Sequence, residues 1–216
     1  MSITISRIEK QKNKKNRYSL FSQEEFILGI SEEVLIKFNL HAGQKLSKQN
    51  IEKIKENELY VTLRDQAFRF LARRPHSRRE LKEKLLRKGY SSEATLSVLR
   101  ELQEKKYIND TEFAKLLIKD EIRLKKNGPI LIKNKLLLKG IELSLAEDLI
   151  NKNYTSEKIK ENCSYMAEKK LRSLADRSYK DKRQRVGTFL KRKGFHWDVC
   201  GEIINHLIKE EDNEQF

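Results

Sequence analysis

The amino-acid sequence predicts a mainly α-helical protein, with three tandem three-helix repeats in an elongated array and a small β-containing extension at the N-terminus. Three observations predict this class. Charged residues make up 37% of the 216 residues and hydrophobic residues 38%, which suits an array with a thin core better than a globular enzyme. The chain has only two prolines, and an apolar pattern centred on glycine recurs three times after the first fifty residues.

The first fifty residues differ in pattern from the rest of the chain. Isoleucines recur in residues 3–8, and a second β-favouring stretch covers residues 18–28. A polar, basic turn from Lys10 to Asn16 separates the two, which predicts a β-hairpin or a three-stranded unit. Ser31 is placed to cap a short helix that Gly43 would end.

From about Ser47 onward the pattern is helical. The first long segment, Leu59 to Arg74, is expected to stop at Pro75, because the residue before a proline disfavours the α conformation. The next helix begins with a capping box from Ser77 to Glu80, in which a hydroxyl and a carboxylate each satisfy a free amide. It runs to Lys88 and ends at Gly89, and a third helix follows from about Ser92 to Lys105.

This unit recurs at intervals of about fifty residues. Each copy has apolar residues eight and four positions before a glycine, on one helix face, and an apolar or aromatic residue directly after it. The three sets are Leu81, Leu85, Gly89 and Tyr90; Ile132, Leu136, Gly140 and Ile141; and Val186, Leu190, Gly194 and Phe195. In the second copy, Ser144 to Glu147 resembles the capping box again. Three copies are the minimum at which stacked repeats bury a continuous core.

The pattern divides the chain into four parts. Residues 1–46 form the N-terminal extension, and residues 47–109 form the first repeat with its lead-in helix. Residues 110–154 form the second repeat, and residues 155–216 form the third repeat with an acidic tail at Glu210 to Asp212.

No catalytic constellation is present in the sequence, so we expect a protein that is not an enzyme and has neither a cofactor nor a metal. The chain lacks a glycine-rich phosphate loop, HExxH, GxSxG and paired CxxC motifs. His41, His76 and His206 are expected in loops or on helix surfaces, and Cys200 and His206 are badly spaced for sharing an ion. Two distant cysteines, no signal-peptide pattern and no membrane-length apolar run predict a soluble cytoplasmic protein.

The formal net charge of +15 predicts a polyanionic partner, either nucleic acid or an acidic protein surface. The basic residues cluster at matching places in the three repeats, which predicts a basic strip that neutralises phosphates without reading sequence. The candidate binding residues are Arg73, Arg74, Arg78, Arg79, Lys82, Lys88, Arg123, Lys125, Lys126, Lys133, Lys135, Arg183, Arg185, Arg192 and Lys193. The alternative is a solvated face that is merely rich in lysine.

Two stretches resemble the signatures of the RecX regulators. One runs from Leu71 to Tyr90 and the other from Lys106 to Ala114, at the junction of the first two repeats. The stretch from Gly128 to Ile141 is similar to the second-repeat pattern, and Arg185 to Phe195 more loosely to the third.

The resemblance implies a curved array of three-helix repeats that lies along the groove of a RecA recombinase filament on DNA. It also implies inhibition of filament growth, ATP hydrolysis and strand exchange. The expected partners are the RecA filament and both single- and double-stranded DNA, with no membrane, and we expect a monomer. The alternative is a stand-alone basic helix-turn-helix module that presents one helix per repeat to a major groove.

Overall fold

The structure, a computed structural model, describes residues 2–12, 15–175 and 177–213, and their side chains as far as residue 208. The chain forms two compact units. The first comprises residues 1–75 and 81–108, and the second comprises residues 76–80 and 109–216. The described architecture is mainly helical, with its strands in the N-terminal part, so the predicted mainly α-helical class with a β-containing N-terminal extension is confirmed.

Five strands build the start of the first unit: β1 (Ser2–Thr4), β2 (Arg7–Lys10), β3 (Arg17–Ser22), β4 (Glu25–Ser31) and β5 (Lys45–Ser47). Strands β2, β3 and β4 form an antiparallel sheet in that order, and β1 pairs with β5 in a separate ribbon. Ile5, Leu20 and Ile30 pack with Leu46 in one buried apolar cluster. The predicted β-containing extension is therefore present, although Asn13 and Lys14 of its basic turn lie outside the described residues.

Helix α1 (Glu32–Lys37) begins where it was expected and ends earlier. The Ser31 hydroxyl accepts a hydrogen bond from the Val34 amide, as predicted. The helix ends at its cap residue Phe38, and Asn39 takes up the left-handed conformation with φ of 45°. Gly43 also has a positive φ, but it lies in the turn that leads into β5. The prediction that Gly43 ends the helix is wrong, because asparagine tolerates the left-handed region well enough to end it first.

Helix α2 (Lys48–Leu71) is longer at its start and shorter at its end than the predicted segment from Leu59 to Arg74. It begins earlier because the Ser47 hydroxyl caps it by accepting from the Asn50 amide, and because Ile51 and Ile54 are buried in the core of the N-terminal strands. It stops four residues before Pro75.

Eight further helices complete the described chain: α3 (Arg78–Leu86), α4 (Ser92–Glu104), α5 (Asp110–Arg123), α6 (Pro129–Leu138), α7 (Leu143–Asn153), α8 (Ser156–Arg172), α9 (Tyr179–Arg192) and α10 (Trp197–Asn213). They group in threes, and each group has its own apolar core: α2 to α4, α5 to α7, and α8 to α10. The side chains of the predicted acidic tail lie outside the described residues.

The glycine-centred pattern marks the same turn in all three repeats. The six apolar residues eight and four positions before the glycines have no exposed surface. Gly89, Gly140 and Gly194 have φ of 88°, 80° and 85°, the left-handed region that glycine adopts without a steric penalty. The Ile141 amide donates to the Leu136 carbonyl at 3.1 Å, and the Phe195 amide to the Leu190 carbonyl at 3.2 Å, which closes the helix end as expected.

The Ser77 half of one predicted capping box is present, and the second predicted box is not formed. The Ser77 hydroxyl accepts from the Glu80 amide at 3.1 Å. Helix α7, however, starts at Leu143 with Glu142 as its cap residue, and Glu142 makes no side-chain capping bond. Ser144 is therefore the second residue of the helix and cannot cap it, because the closed turn after Gly140 leaves only two residues before the helix begins.

Within the second unit, the start of one helix packs on the glycine turn of another at two places. The Ser77 hydroxyl donates to the Lys139 carbonyl at 2.7 Å, beside Gly140. The Gly128 amide donates to the Lys193 carbonyl at 2.8 Å, beside Gly194. A β-carbon added to Gly194 would lie 2.3 Å from the Leu131 nitrogen, so this glycine is needed for close approach as well as for its dihedral angle.

Two side chains of the helical repeats differ in burial from what their residue types suggest. His76, expected in a loop or on a helix surface, lies between α2 and α3 but is only 3% exposed, because the segment 76–80 is packed within the second unit. Trp197, the only tryptophan of the chain, is 66% exposed, and its ring covers Gly187 of α9 at 3.4 Å from the position of an added β-carbon.

Candidate nucleic-acid interface

A cavity of about 550 Å³ lies in the second unit, and we call it the basic pocket. Its walls come from the end of α5, the α5–α6 loop, α6, α8 and α9. The lining residues are Leu124, Lys125, Lys126, Asn127, Leu131, Lys135, Tyr165, Met166, Lys169, Phe189, Arg192 and Lys193. Six of these twelve side chains carry a positive charge, so the pocket is suited to an anion.

The α5–α6 loop turns sharply enough to bring several cations to the rim. Helix α5 ends at Arg123, and Lys126 adopts a left-handed conformation with φ of 49°. The Asn127 amide then donates to the Glu121 carbonyl at 3.0 Å. Pro129 occupies the first turn of α6, where its missing amide costs nothing. The loop therefore presents Lys125 and Lys126 beside α6 in a fixed position.

Glu121 does not line the basic pocket, but it holds three of its lining residues. Its side chain is 3% exposed, and it accepts hydrogen bonds from Lys125 at 2.7 Å, Lys135 at 2.6 Å and the Asn127 side chain at 2.6 Å. Burial raises the pKa of Glu121, but the hydrogen bonds from Lys125, Lys135 and Asn127 outweigh it, and the net pKa lies below its usual range. The charged carboxylate thus fixes two lysines and an amide in position.

Positive charge is crowded at Lys193. Burial lowers the pKa of this lysine, and the charges of Lys135 and Lys169 lower it further, against the opposite effect of Glu121. Its ammonium lies 3.4 Å from the Asn127 side-chain oxygen. Because like charges are held together here, a bound anion would relieve their repulsion.

Aromatic rings stand among these cations. The Lys126 ammonium lies 4.8 Å from the centroid of the Tyr165 ring, and Tyr165 is 49% exposed. The Lys193 ammonium lies 5.9 Å from the centroid of Phe189. Phe189 is half-buried, so the exposed ring is that of Tyr165. A basic surface that also presents an exposed ring is typical of proteins that bind single-stranded nucleic acid.

The structure brings together five of the candidate binding residues and leaves the others apart from the pocket. Lys125, Lys126, Lys135, Arg192 and Lys193 line it. The remaining candidates of the second and third repeats do not: Arg123, Lys133, Arg183 and Arg185. Of these, Lys133 forms an ion pair with Glu147 at 3.1 Å, and Arg185 lies 3.5 Å from Asp181.

The candidates of the first repeat are divided between the two units. Arg73, Arg74, Lys82 and Lys88 belong to the first unit, and Arg78 and Arg79 belong to the second. Arg79 packs its side chain on Gly140, where an added β-carbon would lie 2.7 Å from the Arg79 β-carbon. A continuous basic strip along all three repeats stays a prediction.

The predicted set lacked four residues on which the basic pocket depends: Tyr165, Lys169 and Phe189, which line it, and Glu121, which holds three other lining residues. A signal for three of them was present, since Tyr165 and Lys169 are one helical turn apart, as are Phe189 and Lys193. An aromatic residue four positions before a cation presents both groups on one helix face. Glu121 gave no such signal, because an acid near the end of a helix usually faces solvent.

Two other kinds of feature, metal-binding clusters and membrane-spanning helices, were sought in the described part of the chain. It contains no group of three or more His, Cys, Asp or Glu side chains that could hold a metal ion. Cys163 and Cys200 are free thiols buried in the core of α8 to α10. Among the described helices, none combines the length and the apolar character that crossing a bilayer requires.

Comparisons with known proteins identify the family. Three family models match: the regulatory protein RecX N-terminal domain at residues 3–47, the first three-helix domain of RecX at 64–102 and its third three-helix domain at 157–204. The regulatory protein RecX of Clostridium tetani is 32% identical over 207 residues, which cover 94% of each chain. The chain belongs to the RecX family.

Other RecX proteins can be aligned with most of the length of this chain. The regulatory protein RecX of Bacillus cytotoxicus is 30% identical over 216 residues, covering 98% of this chain and 79% of that protein. A crystal structure of regulatory protein RecX superposes with a TM-score of 0.75 at 26% identity, over 94% of this chain and 98% of that one. A crystal structure of RecX from Lactobacillus salivarius gives 0.62 at 26% identity, over 70% and 97%.

Proposed function

We propose that this RecX-family protein regulates homologous recombination and DNA repair, including the SOS response, by binding the RecA recombinase filament on DNA. Bound there, it inhibits filament extension, ATP hydrolysis and strand exchange. The relatives are regulatory proteins by name, which supports a regulatory role. The observation that carries the DNA part of the proposal is the basic pocket, where six cations surround an open cavity.

The chemistry of the pocket favours a DNA backbone as the contacted surface. Lysine and arginine side chains neutralise phosphates and release counterions, which provides affinity without reading base sequence. The protein on this view is a cytoplasmic, non-catalytic binding protein and is monomeric in free solution. It then affects the recombinase by being bound to the filament and not by catalysing a reaction.

The salt dependence of DNA binding tests the role of the pocket. Lys169→Gln and Arg192→Gln together remove two charges without touching the lysines that hold Glu121. The slope of log affinity against log salt should flatten by about one for each phosphate that is no longer neutralised. The matched control changes Lys53 and Lys119 to Gln, because both are exposed and neither lines the pocket. An equal flattening in both double variants would show that the pocket has no special part.

The regulatory part is tested on recombinase already assembled on single-stranded DNA. Added protein should lower ATP hydrolysis and strand exchange at less than one molecule per recombinase subunit, and the Lys169 and Arg192 double variant should need a higher concentration. Inhibition that appears only when this protein meets the DNA first would contradict filament binding. It would favour the second candidate, a stand-alone helix-turn-helix module, for which a footprint at a specific duplex site is the expected sign.

A further inference from the structure

The basic pocket has more positive charge than the neighbouring Glu121 carboxylate can balance. Lys125 and Lys135 share Glu121. Among the residues that the structure describes, no carboxylate lies within ion-pair distance of Lys126, Lys169, Arg192 or Lys193. The pocket thus presents several cations toward one small volume, which suits a phosphate with two or more charged oxygens.

The second feature is the Tyr165 ring in the wall of the same pocket. Half of its surface is exposed, and the Lys126 ammonium lies over the ring at 4.8 Å. Tyr165 and Lys169 lie one turn apart on α8, so the flat ring and a cation face the cavity together. A ligand that has a flat ring joined to a phosphate matches this pair of groups.

The shape of the pocket selects among nucleic acids. At about 550 Å³ it has the size of a small-molecule site and admits single groups rather than a helix surface. In a duplex, both faces of each base are covered by its neighbours, so a side chain can stack only on a base that has left the stack. A single strand offers such bases without that cost, and stacking is tolerant of sequence because every base has a flat face.

We propose that the basic pocket is a nucleotide site that takes one unstacked nucleotide, with its base on Tyr165 and its phosphate among Lys169, Arg192 and Lys193. This inference rests on the proposed DNA contact and adds a preference of that contact for single strands over duplex. The nucleotide can belong to a polynucleotide or be free in solution, since both present the same base and phosphate.

Fluorescence anisotropy of a labelled single-stranded oligonucleotide and of a duplex of equal length tests the preference with the full chain. Tyr165→Ala should weaken binding of the single strand by roughly tenfold, the effect of losing one stacked base, and change duplex binding little. Tyr165→Phe keeps the ring and should bind as the wild type does. Tyr179→Ala is the control, because Tyr179 is 45% exposed and does not line the pocket. Circular dichroism checks that each variant is folded.

Equal weakening of single strand and duplex by Tyr165→Ala, or no weakening of either, would overturn the nucleotide site. Competition distinguishes the two sources of the nucleotide. A mononucleotide that displaces the oligonucleotide only at far higher concentration than an unlabelled oligonucleotide identifies a polynucleotide strand, and displacement at similar concentration identifies a free nucleotide. Pyrophosphate displacing as well as either would show a phosphate site without base recognition, against the proposal.

The same samples separate this inference from the proposed function. If the wild type prefers single strands through Tyr165 but leaves ATP hydrolysis by the recombinase unchanged, the nucleotide site stands and the regulatory proposal fails. If it inhibits the recombinase while Tyr165→Ala binds single strands normally, the regulatory proposal stands and the nucleotide site fails.

Discussion

At the scale of single residues, the buried carboxylate of Glu121 holds two lysines of the basic pocket in place. Its neighbours satisfy it with three hydrogen bonds, and two of the donors are charged. A buried carboxylate of this kind destabilises the fold if one of its partners is removed. When all the partners are present, it holds their side chains in fixed positions. The basic pocket therefore depends on a residue that no ligand needs to touch.

Replacement of Glu121 by glutamine should lower the free energy of unfolding at pH 7 by roughly 1–3 kcal/mol, because the charged hydrogen bonds to Lys125 and Lys135 become weaker neutral ones while both ammonium groups keep access to solvent. Since the folded-state pKa of Glu121 lies below its usual range, its contribution is present above the unfolded pKa and is lost as the pH falls through the folded pKa. Denaturant unfolding at a series of pH values should show the two proteins converging as the solution becomes acidic. Glu112→Gln is the control, since the Glu112–Lys115 pair at 2.7 Å is exposed and contributes little. A constant difference across the pH series would contradict this account of Glu121.

A second prediction at this scale concerns the equivalent core leucines. Leu85 and Leu136 are both completely buried, four positions before their glycines. Each change to alanine should cost roughly 2–5 kcal/mol of unfolding free energy, the range for a large buried side chain cut back in a packed core. Leu138, which is 71% exposed, is the control and should tolerate alanine with little change. Equal costs at Leu136 and Leu138 would contradict the shared position in the repeat.

At the scale of helices and turns, the three glycine turns have the same conformation and different surroundings. Gly89 has open space around it, whereas Gly194 lies against the backbone of Leu131 at the start of α6. At Gly89, glycine is therefore needed only for its dihedral angle. At Gly194 it is needed also because a side chain would collide with the backbone of α6.

Alanine at the two positions separates these requirements. Gly89→Ala should lower the free energy of unfolding by about 1–2 kcal/mol, the cost of a β-carbon in the left-handed region. Gly194→Ala should cost clearly more, because its β-carbon would also lie 2.3 Å from the Leu131 nitrogen and force α6 to move. Thermal or denaturant unfolding measures both. Equal losses would mean that the packing of α6 on the Gly194 turn contributes nothing.

These turns also show how much of the local structure can be predicted from the sequence. An i, i+4 apolar pair, a glycine and an apolar residue are local, and they predict a helix end correctly in all three repeats. Ser144 matched a local capping pattern and is not a cap, because the end of α6 sets where α7 can begin. The basic pocket was found only in part, since Tyr165 and Phe189 come from different helices and meet through packing that no single stretch of sequence contains.

At the scale of the whole molecule, the predicted elongated array is open to a direct measurement. A compact protein of 216 residues has a radius of gyration of about 17 Å. Small-angle scattering should give a larger value if the three repeats extend along a line. The measurement should be made at high salt. At low salt, a net charge of +15 makes the molecules repel one another, and this repulsion distorts the scattering curve. A value near about 17 Å would contradict the elongated array.

The single tryptophan gives the C-terminal repeat its own fluorescent reporter. Trp197 starts α10 and covers Gly187 of α9, so its emission depends on whether these two helices remain together. No other repeat contributes tryptophan emission, whereas far-ultraviolet circular dichroism records all the helices at once. Coincident melting curves from the two signals would mean that the repeats unfold as one cooperative body. Separated curves would mean that the C-terminal repeat melts on its own, and the wild-type chain would reveal this without any dye or label.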